Sequence, residues 1–146
     1  AEVELLPMAS SEGLGVFPYS PLAAGLLTGK YSGEPDADLG RLSHNTMYQA
    51  RYGDPNYAEV ARQFAALARE LGHHPASLAI AWVGAHSSVS APILGARNVE
   101  QIRPALASVD IEVTPELYRR IAHLSPEPPP ATDRNEEGSS ATLDRR

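Results

Sequence analysis

Cysteine is absent from this chain. That excludes disulfides and thiolate-held metals, and it leaves the cytosol as the default expectation for its compartment. Positive charge is also scarce: 12 Lys and Arg stand against 18 Asp and Glu, for a net charge of −6. No basic field is present to draw in nucleic acid. Lys30 is the only lysine, beside eleven arginines. No apolar run approaches the ~20 residues that a membrane-spanning helix needs. The opening AEVELLPMASSEG carries acids where a signal peptide would be basic and then apolar. It has no initiator methionine either, so the sequence reads as the interior of a longer protein or as a trimmed product.

What is present is patterned. Val16, Phe17 and Tyr19 form a short apolar run flanked by Gly13 and Gly15, the signature of a buried parallel strand. Pro18 removes a ladder donor and belongs at the strand's end. The loop that follows holds Ser20, Pro21, Gly25, Thr28 and Gly29. In sheets with helical crossovers, ligands sit beyond the carboxyl ends of the strands. Glycines there let backbone N–H groups approach an anion. An anion or phosphate loop is the functional reading; an ordinary strand-to-helix connection is the plain one.

Along the chain, residues 2–12 read as a short helix using Val3, Leu6 and Met8, ended at Gly13. Residues 32–55 are rich in Gly, Pro, Asp, Ser and Asn and read as a long loop carrying Arg41, Arg51 and Tyr52. From 56 to 71 the stripe Val60, Phe64, Leu67 and Leu71 predicts a helix. Asn56 and Glu59 have the spacing of a capping box, and Gly72 stops the helix. A second helix begins near Pro75 and is apolar nearly all round through Val83, which predicts burial. Ala91–Gly95 is a second strand. Asn98 and Gln101 have cap and N3 spacing for a helix with Ile102, Ala105, Leu106 and Val109 inward. Thr114-Pro115-Glu116 opens another, with Leu117, Ile121 and Leu124 inward. From residue 126 on, one bulky aliphatic in 21 residues cannot offset the entropy of ordering. That tail is expected to be disordered, leaving 1–125 as the folded part.

The run Tyr19-Ser20-Pro21-Leu22-Ala23-Ala24-Gly25-Leu26-Leu27-Thr28-Gly29-Lys30-Tyr31 resembles the segment after the seventh barrel strand of aldo-keto reductases. Ala91-Pro92-Ile93-Leu94-Gly95-Ala96-Arg97-Asn98-Val99-Glu100-Gln101 resembles the eighth strand and its nucleotide loop. The similarity runs over roughly residues 1–125. It implies an α/β fold, namely the last strands and helices of a partial (β/α)8 TIM barrel. A complete barrel needs about 250 residues, more than the 146 here. It implies NADP(H) as cofactor and a carbonyl compound as substrate of the whole enzyme. Ser20, Pro21, Leu22 and Gly25 would line the pyrophosphate and its ribose, with Lys30 near that path. Gly95, Ala96, Arg97 and Gln101 would hold the adenosine end. Arg41 and Arg51 are candidates for closing over the cofactor; the plain reading of both is surface charge on a mobile loop. Arg97 could fork onto a 2′-phosphate, which favours NADP(H) over NAD(H). Many family members carry Glu-Asn shortly after the glutamine, where this chain has Pro104 and Ala105.

Hydride transfer to a carbonyl also needs a proton donor tuned by its neighbours. In the family that donor is a tyrosine, set among an aspartate, a lysine and usually a histidine on the first half of the barrel. None of those motifs occurs here, so no catalytic residue is assigned. His73 and His74 are adjacent and have no acid at ligand spacing, so they read as loop histidines before Pro75 rather than metal ligands. Gly13-Leu14-Gly15 precedes its strand, whereas a dinucleotide fingerprint follows one. The rival readings are a non-catalytic binding or regulatory half-barrel and a functionless fragment. The half-barrel would self-associate or pair with an amino-terminal half through exposed sheet edges.

Overall fold

The computed structural model describes residues 1–30 and 45–126. The expected closing residue Arg41 and all but the first residue of the tail expected to be disordered, 126–146, lie outside the described residues. Helix α1 spans Leu5–Ser11, with Leu6 and Ala9 buried. Gly13 follows it at φ 64°, a left-handed conformation that glycine adopts without steric cost. Met8, expected to face inward, is 50% exposed.

The region read as a continuous loop before Pro55 contains a helix, α2, over Thr46–Tyr52. Its N-cap is Asn45, whose Oδ1 accepts from the Met47 and Tyr48 amides. None of its residues is buried. No apolar stripe therefore betrays it in the sequence; local capping and the stacked Tyr48–Tyr52 pair hold it.

Helix α3, Pro55–Glu70, buries Ala61, Phe64, Ala65, Leu67 and Ala68. The predicted stripe is the core face, with Val60 and Leu71 half-buried. The predicted capping box is not formed. Asp54 is the N-cap, accepting from the Asn56 amide at 2.8 Å, with Pro55 in the first turn. An Asp-Pro start outcompetes an Asn one residue inside the helix, because Pro55 already has helical φ and no N–H to satisfy. Glu59 binds Arg62 and Gln63 instead. The hydrogen bond from Arg62 foremost, then that from Gln63, hold its carboxyl down at about 2. The pair is solvent-exposed, so this is a local charge arrangement rather than a source of stability.

Helix α4, Pro75–Gly84, is buried from Pro75 to Ile80. Ala81, Trp82 and Val83 are only half-buried, so the expectation of burial all round holds for its first half. Trp82 stacks on Tyr118 at 5.2 Å and donates its indole N–H to the Tyr118 carbonyl. Burial, and secondarily Glu2, push the Tyr118 hydroxyl pKa up. Helix α5, Val99–Leu106, and helix α6, Pro115–Ala122, begin at the predicted caps. Asn98 accepts from the Gln101 amide and Thr114 from the Leu117 amide. Phe64, Leu67, Ala68, Leu78, Ala79 and Ile121 form the core, with Leu117 and Leu124 packed on it. Arg120 clamps Glu70 at 2.8 Å from α6 to α3. On α5 the predicted stripe fails in part: Ala105 is buried, but Leu106 is 61% exposed and Val109 85%. The chain leaves the helix for a 3₁₀ turn at Ala107–Asp110, and the 3.6-residue period ends with it.

The two predicted strands are the largest correction. Among the described residues they meet in a single parallel bridge, Tyr19 with Ile93. The Ile93 and Ser90 amides donate to the Pro18 and Val16 carbonyls, both at 2.8 Å. Direction and partnership agree with the sequence reading, but there is no ladder. Two parallel strands are marginal by themselves, and Pro18 and Pro92 each remove a donor from an already short pairing. Nor is the Val16–Tyr19 run buried: Phe17 is 59% exposed and Tyr19 69%.

Candidate functional site

Beyond the bridge, at the carboxyl ends of the two extended segments, the chain opens into a cleft of about 690 Å³. Three walls enclose it. The first is the turn from Ser20 to Lys30, most of it a kinked 3₁₀ segment over Ala23–Thr28. Ser20, Ala23 and Ala24 have φ of 57°, 48° and 59°, and Gly25 has 95°. Each non-glycine residue there costs on the order of 1 kcal/mol, and such strain collects at functional turns.

Several groups of this turn are satisfied within it. The Gly25 amide donates to the Leu22 carbonyl at 2.8 Å, and Thr28 Oγ1 donates to the Gly25 carbonyl at 2.7 Å. The Gly25 N–H is therefore not the anion donor that the glycine suggested; Gly25 serves the turn's shape. Gly29, at φ 78°, anchors the other end. A Cβ there would stand 3.4 Å from Ala65 Cβ, Arg69 Nη2 and Pro75 Cγ. The turn is thus docked against the corner where α3 passes to α4, and Lys30 is delivered to the cleft.

The second wall is Ile93–Gln101 with the inner side of α5. Gln101 Oε1 accepts from the Arg97 amide at 3.0 Å, while the Gln101 amide donates to Asn98 Oδ1 at 3.0 Å. This is a capping box displaced by one residue, reaching Arg97 where the usual box would reach Asn98. It fixes the backbone at Arg97. Among the described residues no carboxylate forms an ion pair with the Arg97 guanidinium. Further along, Pro104 and Ala105 give this wall an apolar surface.

The third wall is the start of α4: His74, Ala76 and Ile80. It joins the second wall through Ser77, which is 2% exposed and whose Oγ donates to the Pro104 carbonyl at 2.6 Å. No functional signal for this wall is present in the sequence. Its residues read as a helix start and a core face, and contacts distant in sequence, Ser77 with Pro104 and Pro75 with Gly29, bring that face to the cleft.

Of the eleven residues singled out by sequence, nine line this one cleft: Ser20, Pro21, Leu22, Gly25, Lys30, Gly95, Ala96, Arg97 and Gln101; Arg41 lies outside the described residues. Arg51 does not line it; it lies exposed in the last turn of α2. Glu100 does line it and is the acidic member of an otherwise neutral-to-basic set. Among the described residues there is no cluster of side chains able to hold a metal ion, and no helix long and apolar enough to cross a membrane.

Comparison with known proteins adds the following. The sequence profile of the aldo/keto reductase family matches residues 1–126. An uncharacterized oxidoreductase of Bacillus subtilis, YrpG, is 38% identical over 128 residues, covering 88% of this chain and 37% of that protein. A putative voltage-gated potassium channel subunit beta of Schizosaccharomyces pombe is 34% identical, covering 84% and 37% respectively. A probable subunit of the same kind from Oryza sativa is 33% identical, covering 90% and 42%. The solved glycerol dehydrogenase of Gluconobacter oxydans superposes with a TM-score of 0.65 over 86% of this chain and 40% of its own, at 24% identity. The chain thus spans about two fifths of the length of the relatives it matches.

Proposed function

The chain belongs to the aldo/keto reductase family, and on that premise we propose that it forms the cofactor-holding part of an NADPH-linked carbonyl reductase. In this reading the described residues are the last portion of a partial (β/α)8 barrel. The lone Tyr19–Ile93 bridge is then what remains of two neighbouring barrel strands when the others are supplied from elsewhere.

One observation carries the reading. Two turns separated by the 64 residues 31–94, each strained or capped into a fixed shape, line a single cleft beyond the carboxyl ends of paired parallel segments. Open α/β sheets and barrels place nucleotides there. The donor set suits the ligand. Arg97 stands beside the first turn of α5, where the helix dipole favours negative charge. Its planar fork matches a 2′-phosphate. Ser20 and Lys30 lie across the cleft for the pyrophosphate. The bound dinucleotide would supply the hydride. The chain's own residues bind and orient it, and no group here is assigned the proton transfer, so the isolated chain is expected to bind cofactor without turning over a carbonyl substrate.

Fluorescence titration of the purified chain with NADPH and with NADH tests this. Saturable binding with NADPH the tighter ligand supports the reading. An absent response, or an equal response to both, overturns the assignment of the Arg97 side as a 2′-phosphate site.

A second reading has its own observation. Leu14, Phe17, Tyr19 and Ile93 are each more than half exposed around the bridge, and two relatives are named as channel subunits. On this reading the chain works as a non-catalytic module that assembles with itself or with an amino-terminal half. Light scattering is expected to show a concentration-dependent mass above that of the 15.6 kDa chain. A strictly monomeric species with one cooperative melt sinks it.

A further inference from the structure

His74 does two jobs that require its two ring nitrogens separately. Its Nδ1 accepts the Ala76 amide at 3.1 Å, so His74 is the N-cap of α4. An accepting Nδ1 carries no proton, and the neutral ring then bears its hydrogen on Nε2. Capping thus fixes the tautomer and leaves a donor on the far side of the ring. Among the described residues nothing accepts from that nitrogen. The same residue lines the cleft. Gly29 packs against Pro75, the residue next to His74, so the Lys30 end of the strained turn is held beside it. Arg97 stands on the second wall, with its backbone pinned by Gln101.

Arg97 thus stands on the second wall, while Lys30 and His74 belong to the first and third walls, which meet where Gly29 docks at Pro75. A dinucleotide phosphate likewise has two anionic centres, the 2′-phosphate and the pyrophosphate. We infer that His74 is a binding residue for the pyrophosphate, donating Nε2–H to one of its non-bridging oxygens. This rests on the cofactor reading above. It goes further by adding a ligand contact from α4, an element that neither sequence turn contains. A donor held in place by a helix cap binds with little loss of side-chain entropy, and a hydrogen bond to a charged oxygen is among the stronger ones.

Replacement by serine separates the jobs, because a serine hydroxyl also caps a helix but cannot reach into the cleft. With the full chain, His74→Ser is expected to keep the parent's thermal midpoint and to weaken NADPH and NADH by the same factor, about tenfold. The equal loss follows because the pyrophosphate is common to both cofactors. His74→Ala is expected to show the same loss of binding together with a lowered midpoint from the missing cap. Serine binding both cofactors as tightly as the parent, or a loss confined to NADPH, overturns the pyrophosphate contact while leaving the cofactor site standing. A parent chain that binds neither dinucleotide removes the site itself, and this inference with it.

Discussion

Replacing Leu78 by alanine is expected to destabilise the protein by about 3 kcal/mol, read as a lower midpoint in urea with an unchanged slope. Leu78 is fully buried and, among the described residues, is the largest side chain wholly removed from solvent. It sits where α3, α4 and α6 meet, in one cluster with Phe64, Leu67, Ala68, Ala79 and Ile121. Truncation removes the transfer energy of the lost carbons and leaves a cavity. Alanines on α3 and α4 cannot close it, having no rotamers to move into the space. A loss of this size is a large part of the 5–15 kcal/mol that usually separates folded from unfolded. The matched control is Val109→Ala. That valine is 85% exposed, and its truncation is expected to stay within ~0.5 kcal/mol. Equal, small effects at both positions would mean that the core is not where the helices place it.

The second large effect concerns recognition. Arg97→Ala is expected to weaken NADPH binding about 30-fold, equivalent to roughly 2 kcal/mol for a charge-assisted phosphate contact, and to leave NADH within about twofold. The selectivity follows because only NADPH carries the 2′-phosphate. The fold should survive, since Arg97 is exposed. What it contributes to local structure is its backbone amide, bonded to Gln101 Oε1, which alanine retains. Salt should erode the parent's preference for NADPH and have little effect on that of the variant, because an exposed ionic contact is screened. A parallel fall in both cofactors would place Arg97 at a shared part of the ligand, and the NADP assignment would fail.

Much of the candidate site was legible before any fold. Ser20–Lys30 and Gly95–Gln101 are contiguous stretches whose glycines, caps and basic residues carry their meaning locally, and residues of both line the one cleft. Cap chemistry was read correctly at Asn98 and Thr114, where the side chain and its amide lie three residues apart. It was misread at Asn56. There two neighbouring candidates competed, and Asp54 won because Pro55 follows it. Helix α2 escaped notice because it buries nothing. His74 was legible only as a loop residue before a proline. Its capping bond is local, but its place in the cleft depends on Gly29 docking at Pro75 and on Ser77 reaching Pro104.

The sequence alone thus determined family, helix count near the core, the apolar stripe of α3 and the two turns, since all of these are encoded in short-range spacing and residue type. Tertiary structure decided three things: that the turns share one cleft, that α4 supplies its third wall, and that two strand-like runs join by only one bridge. Those outcomes depend on contacts between residues 27 to 74 positions apart. Which of many sterically allowed pairings wins at such distances is settled by how the buried faces of α3, α4 and α6 pack, and no local pattern records that.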